Sequence, residues 1–147
     1  MFMPFARNFF SKQEQSLVEE AIRTAETKTS AEVVVHLDNL CFGDPIKAAE
    51  KVFVRLNMHK TAERNGVLVY IATLNKKIAV VGDVGIYSKL EPDYWKKMVD
   101  QLIAEFRADH KAEALSASLL DVGNKLAVFF PRQHNDTDEL SNKISFR

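Results

Sequence analysis

Between residues 12 and 27, Leu17, Val18, Ala21, Ile22 and Ala25 return at the three-to-four spacing that places apolar side chains on one stripe of a helix. Ser11 and Glu14 stand in front of that stripe at capping-box spacing, so the helix has a marked start. The pattern then changes period. Glu32-Val-Val-Val-His-Leu37 is an almost unbroken β-branched run, which predicts a strand covered on both faces. Asp44-Pro45 offers an N-cap followed by proline at the first helical position. Ile46, Ala49, Val52, Phe53 and Leu56 carry a second helix to about residue 57.

Val67–Ala72 and Ile78–Val81 are two further β-branched runs separated by Leu74-Asn75-Lys76-Lys77 and its neighbours, too short a link for anything but an antiparallel hairpin. Pro92 opens a helix with Trp95, Met98, Val99, Leu102, Ile103 and Phe106 on one face. Asp109 stands as a cap for a last helix, in which Leu115, Leu119, Val122, Leu126, Phe129 and Phe130 face inward before Pro131 stops it. Trp95 and the phenylalanines sit at core spacing and read as packing. Residues 132–147 lose both apolar density and period, which predicts a domain of residues 1–131 and a mobile polar tail of residues 132–147 whose removal leaves the fold intact.

The element order is therefore α-β-α-β-β-α-α. Strands one and two, joined through a helix, should be parallel in a right-handed crossover, with strand three antiparallel beside strand two. This is an α/β fold: an α/β/α sandwich with a small mixed central sheet flanked by helices on both faces.

A chain of 147 residues with 46% hydrophobic content suits one domain with a substantial core. Twenty basic residues balance twenty acidic ones, so no overall field favours nucleic acid or an anionic membrane. The single cysteine, Cys41, rules out an internal disulfide and reads as a small apolar loop residue in a reducing compartment. MFMPFARNFF is interrupted by Pro4 and Arg7 and lacks a signal-peptide core, and no run reaches membrane-spanning length. A cytoplasmic protein is the expectation.

Chemistry concentrates at one end of the sheet. The starts of the two parallel strands and the finish of the third bring together Glu32, Asn65 and Asp83, with Glu63 and Arg64 adjacent and Gly66, Gly82 and Gly85 between them. Carboxylates, an amide and loop carbonyls are the oxygen ligands that Ca²⁺ or Mg²⁺ takes, which makes Glu32, Glu63, Asn65 and Asp83 the candidate metal ligands. The competing reading pairs the acids with Arg64 or Lys60, or uses them as helix caps. The opposite end offers a rival set in Asp38, Asn39, Asp44 and Thr73, where ligands of open α/β sheets usually sit. His59-Lys60 with Arg64 could attract phosphate, although such loop cations are commonly just solvated. P-loop, nucleophile-elbow, zincin and dinucleotide motifs are all missing.

The succession "TSAEVVVHL", "VFVRLNMHKTAERNGVLVYIA", "KKIAVVGDVGI" and "LLDVGNKLAVFFP" resembles the TPM domain family, named for the thylakoid acid phosphatase and its bacterial relatives, over roughly residues 9–131. The resemblance implies an α/β/α sandwich, a Ca²⁺- or Mg²⁺-type site in some members, and acid phosphatase activity in the thylakoid member. The chain is similar to the short, soluble bacterial branch. It departs from the membrane-associated pattern by carrying Arg64 where an acid precedes Asn-Gly, and Asp83-Val84-Gly85 where a Gly-aromatic-Gly turn follows the third strand. Two functions follow as expectations. One is a divalent-cation-binding module that regulates or assembles with a protein partner; the other is a metal-dependent phosphomonoesterase acting on a phosphorylated small molecule. A purely structural interaction domain is the third. The lack of an evident nucleophile beside a base favours binding over catalysis.

Overall fold

A computed structural model describes residues 5–132 and 143–147. The elements follow the order α1 (Ala6–Phe9), α2 (Lys12–Glu26), β1 (Glu32–Asp38), α3 (Pro45–Arg55), a 3₁₀ turn (Met58–Lys60), β2 (Gly66–Ala72), β3 (Lys77–Gly82), α4 (Val84–Tyr87), α5 (Pro92–Arg107), α6 (Lys111–Phe129) and β4 (Ser145–Phe146). The capping box at α2 forms in full, and Asp44 caps α3 by accepting from the Ile46 N–H at 2.9 Å. Asp109 does not cap α6. It takes a left-handed φ of 64° in the turn between α5 and α6, and the α6 N-cap is His110, with no side-chain bond to the helix. Phe129, expected inside, is partly exposed, and the next residue, Phe130, takes the place against the core.

The four strands lie in the order β3-β2-β1-β4. β1 and β2 are parallel with Glu32 opposite Gly66 and Asp38 opposite Ala72, and β2 and β3 are antiparallel with Val67 opposite Gly82. Alternation divides the strands between two cores. Val33, Val35, Leu37, Val67, Val69 and Ile71 face the layer made by α1, α2, α5 and α6. Val34, Leu68, Tyr70, Ala79 and Val81 face α3 and the 3₁₀ turn. Helices on both sides explain why β1 and β2 are buried along their whole length and read as continuous apolar runs. Among the described residues, no helix is long and apolar enough to cross a membrane.

The expectation of a tail outside the fold fails for residues 143–147. β4 pairs in parallel with β1, His36 opposite Ser145 and Leu37 opposite Phe146, and Ile144 is buried. Residues 133–142, the rest of that expected tail, lie outside the described residues. A two-residue strand carries no period, so its pairing cannot be read from the pattern alone; what holds it is the free edge of β1, the buried Ile144, the half-buried Phe146 under Arg7, and a Ser145–His36 hydrogen bond. Ending the chain at Asn142 should therefore lower stability by about 2 kcal/mol, chiefly the burial of Ile144, since lost strand bonds are partly offset by chain entropy. Thermal melts of the two lengths check this, with a fall of roughly 4–8 °C expected.

Candidate functional site

The loop before β2 folds on itself through two bonds to Thr61, whose hydroxyl accepts from the Asn65 N–H and whose carbonyl accepts from the Arg64 N–H. This turn places Arg64 at a left-handed φ of 52°, and the Gly85 N–H closes on the Arg64 carbonyl at 2.9 Å. Arg64 then reaches across to Asp83. Its Nε and Nη2 donate to the two carboxylate oxygens at 2.8 Å each, and Asp83 also accepts from the Val84 N–H at 2.7 Å as the cap of α4. The hydrogen bond to Asp83 raises the Arg64 pKa further above its ordinary value. Asp83 is thus held as an ion-pair partner with both oxygens occupied.

Glu63 belongs to a separate group. Its Oε2 accepts from the Ser30 hydroxyl at 2.6 Å and, more weakly, from the Asn65 amide at 3.4 Å; the same amide donates to the Ser30 oxygen at 3.3 Å. Glu63 is solvent-exposed, whereas Asn65 is buried behind it. Glu32 is buried at the start of β1, across from Gly66, and Asp83 joins the other side of Gly66 by donating its N–H to the Gly66 carbonyl. The space over Gly66 is filled: a Cβ there would lie 3.3 Å from both the Met58 Cε and carbonyl oxygen and 3.5 Å from the Phe53 ring. The structure brings Glu63 and Asn65 together. It leaves Glu32 and Asp83 on either side of a plugged glycine.

This partition decides how a divalent ion fits. Among the described residues, no group of three or more His, Cys, Asp or Glu side chains is placed to hold a metal. What the loop offers is one exposed carboxylate whose Oε2 already accepts from the Ser30 hydroxyl and the Asn65 amide nitrogen, so a hydrated ion would meet Glu63 directly and the oxygens of the other two only after those groups turn. Glu63, Ser30 and Asn65 are the residues that would hold it, and its contribution would be positive charge at the loop.

The opposite end, where β1, β2 and β4 all finish, contains a denser polar network. Asp38 is the hub: its Oδ1 lies 2.9 Å from His36 Nε2, and its Oδ2 accepts from the Tyr70 hydroxyl at 2.8 Å. A carboxylate can only accept, so Nε2 carries the imidazole proton. Nδ1 is then free to accept the Ser145 hydroxyl at 2.8 Å. Arg147 approaches Asp38 at 3.8 Å, and its N–H donates to the Leu37 carbonyl. The Tyr70 hydroxyl is pushed to a higher pKa, first by burial and then by its bond to Asp38. Hydroxyl, imidazole and carboxylate follow the order of a hydrolytic triad, but His36 is 0% exposed and no substrate can reach the ring. The network bolts β4 to β1.

The other rival residues are also engaged internally. Asn39 accepts from the Ala6 N–H at 2.7 Å and so ties α1 to the end of β1, Asp44 caps α3, and the Thr73 N–H donates to the Asp38 carbonyl. Sequence reasoning singled out Asp38 but missed His36, Tyr70, Ser145 and Arg147. A usable signal existed for the first: His36 and Asp38, two apart in a strand, share a face.

Burial lowers the His36 pKa, an effect that Arg55 and Arg147 reinforce and Asp38 opposes. The unfolded chain therefore binds this proton more readily than the folded one. Stability from neutral His36 is complete above its unfolded pKa of about 6.5 and is lost as pH falls below that value. Melting temperatures between pH 7.5 and 5 should decline, and His36→Gln should flatten that slope.

Comparison with known proteins adds the following. The TPM domain family model matches residues 5–125. The chain is 33% identical to the BA42 protein of the psychrophilic bacterium Bizionia argentinensis, whose NMR structure superposes with a TM-score of 0.88 over 99% of this chain and 100% of that one. The N-terminal domain of a P. gingivalis protein (19% identity, TM-score 0.66, 86% of this chain and 83% of that one) shares the fold. So does the N-terminal domain of cg2496 from Corynebacterium glutamicum, at 9% identity and TM-score 0.60, over 90% of this chain and 81% of that one. No curated protein matches the chain.

Proposed function

The chain belongs to the TPM domain family, and from that premise we propose that it works as a binding or regulatory module that takes a hydrated divalent cation, Mg²⁺ or Ca²⁺, at the Glu63 loop. The observation that carries the proposal is the exposed Glu63 carboxylate with the Ser30 hydroxyl at 2.6 Å and the Asn65 amide beside it. With one charged ligand the site is weak. Affinity follows ligand charge, so a dissociation constant on the order of 1 mM is expected. Asp83 takes no part, because Arg64 already satisfies both of its oxygens.

The binding reading is favoured over phosphomonoester hydrolysis by the same geometry. A phosphatase without a protein nucleophile needs a metal held firmly enough to position water and phosphate together. One exposed carboxylate does not supply that. An amide NMR titration with Mg²⁺ and with Ca²⁺, paired with an aryl phosphate assay with and without chelator, tests both halves. Shifts confined to Ser30 and residues 63–66 with no turnover are expected. Chelator-sensitive turnover would overturn the non-catalytic reading, and shifts centred on Asp38 and Asp44 would overturn the site.

A further inference from the structure

At the far end of β2, on the face covered by α5, lies a cavity of about 290 Å³. Its floor is sheet, from Ile71, Ala72 and Ile78, and its walls are Phe9, Ile103 and Phe106, aromatic and aliphatic side chains left only partly buried. The Phe9 and Phe106 rings are 5.7 Å apart, so the α1 and α5 walls meet on one side. Three cations stand at the rim, Lys76, Arg107 and Lys111, with Asp109 as the single acid.

The charges are unequally committed. Lys111 is shared between Glu14 at 3.9 Å and Asp109 at 3.8 Å, and its ammonium lies 5.3 Å over the Phe9 ring. Lys76 and Arg107 have no ion pair among the described residues. An apolar chamber with two uncommitted cations among its lining residues has the composition of a small-molecule site: apolar lining for affinity, a few polar groups for orientation. It is also complementary to one kind of guest, a molecule with a single anionic end and an apolar body.

We propose that this cavity binds a small amphipathic carboxylate, its headgroup held by Arg107 and Lys76 and its apolar body against Phe9, Ile103 and Phe106. A planar guanidinium takes a carboxylate by two parallel hydrogen bonds, and Lys76 adds a point charge. At about 30 Å³ for a water-sized group, the volume admits roughly ten non-hydrogen atoms, which is the size of a medium-chain fatty acid. The site is remote from Glu63, at the opposite end of β2, so the two proposals stand or fall separately.

The test is an amide NMR and calorimetric titration of the full chain with octanoate below its micelle-forming concentration, with octanol as the uncharged control. Shifts at Phe9, Ile71, Ile103 and Phe106 are expected, with octanol binding at least tenfold more weakly. The Arg107→Ala/Lys76→Ala double variant changes only exposed side chains and should fold normally, yet bind octanoate tenfold or more weakly. Ile103→Trp, which fills the chamber, should abolish binding while the amide spectrum keeps its folded dispersion. Equal binding of octanoate and octanol, an unaffected double variant, shifts elsewhere on the surface or the lack of any binding would each overturn the proposal.

Discussion

Gly85→Ala should destabilise the protein by about 3 kcal/mol, at the upper end of what overpacking costs, and lower the melting temperature by roughly 6–12 °C. An added Cβ would stand 2.6 Å from the Arg64 carbonyl oxygen and 2.7 Å from that of Glu63. Both are backbone atoms, which cannot swing aside as a side chain would. Either α4 lifts away, breaking the 2.9 Å bond from Gly85 N–H to Arg64, or the loop before β2 shifts and pulls Arg64 from Asp83. Gly43→Ala is the control. It has open space around it but a φ of +88°, so only about 1 kcal/mol of backbone strain is expected. Chemical denaturation of the three proteins ranks them, and equal stability of Gly85→Ala and wild type would disprove the close approach.

Asp38→Ala should cost about 2–5 kcal/mol, since each of the two neutral buried donors it leaves without an acceptor costs about 1–3 kcal/mol. The carboxylate is 4% exposed and receives His36 Nε2–H and the Tyr70 hydroxyl, both of which the substitution strands in the interior. The damage should spread to β4, because His36 loses the partner that fixes its tautomer and with it the acceptor for Ser145. Hydrogen exchange at Phe146 and Arg147 should therefore accelerate along with the global loss. Protection at those amides equal to wild type would contradict the bolt between β1 and β4.

The layers of this fold were legible in the sequence because its two periods are well separated. The β-branched runs at β1 and β2 and the stripes of α2, α3 and α5 gave element types and order. The parallel crossover and the hairpin then fixed three of the four strands. β4 was not legible, since Ile144-Ser145-Phe146 is too short an alternation to stand out from the polar residues before it. The site was half legible. Strand direction correctly brought Glu32, Glu63, Asn65 and Asp83 to one end of the sheet, but pattern gives no view of what fills the space between side chains. Met58 over Gly66, and the reach of Arg64 from its left-handed position, are tertiary facts that divided the set. The pairing of Arg64 with Asp83 had been the competing expectation, and it is what forms.

The claim that the acids of this end are divided between an ion pair and a cation site is tested most directly by titrating Mg²⁺ into two variants beside wild type. Arg64→Ala/Asp83→Ala removes the pair without changing net charge, and it should bind Mg²⁺ within about twofold of wild type if Asp83 is no ligand. Glu63→Gln removes the one exposed carboxylate and should weaken binding about tenfold or more, the consequence of taking the only charged ligand from a weak site. The reverse order, affinity lost with the pair and retained without the Glu63 charge, would contradict the account.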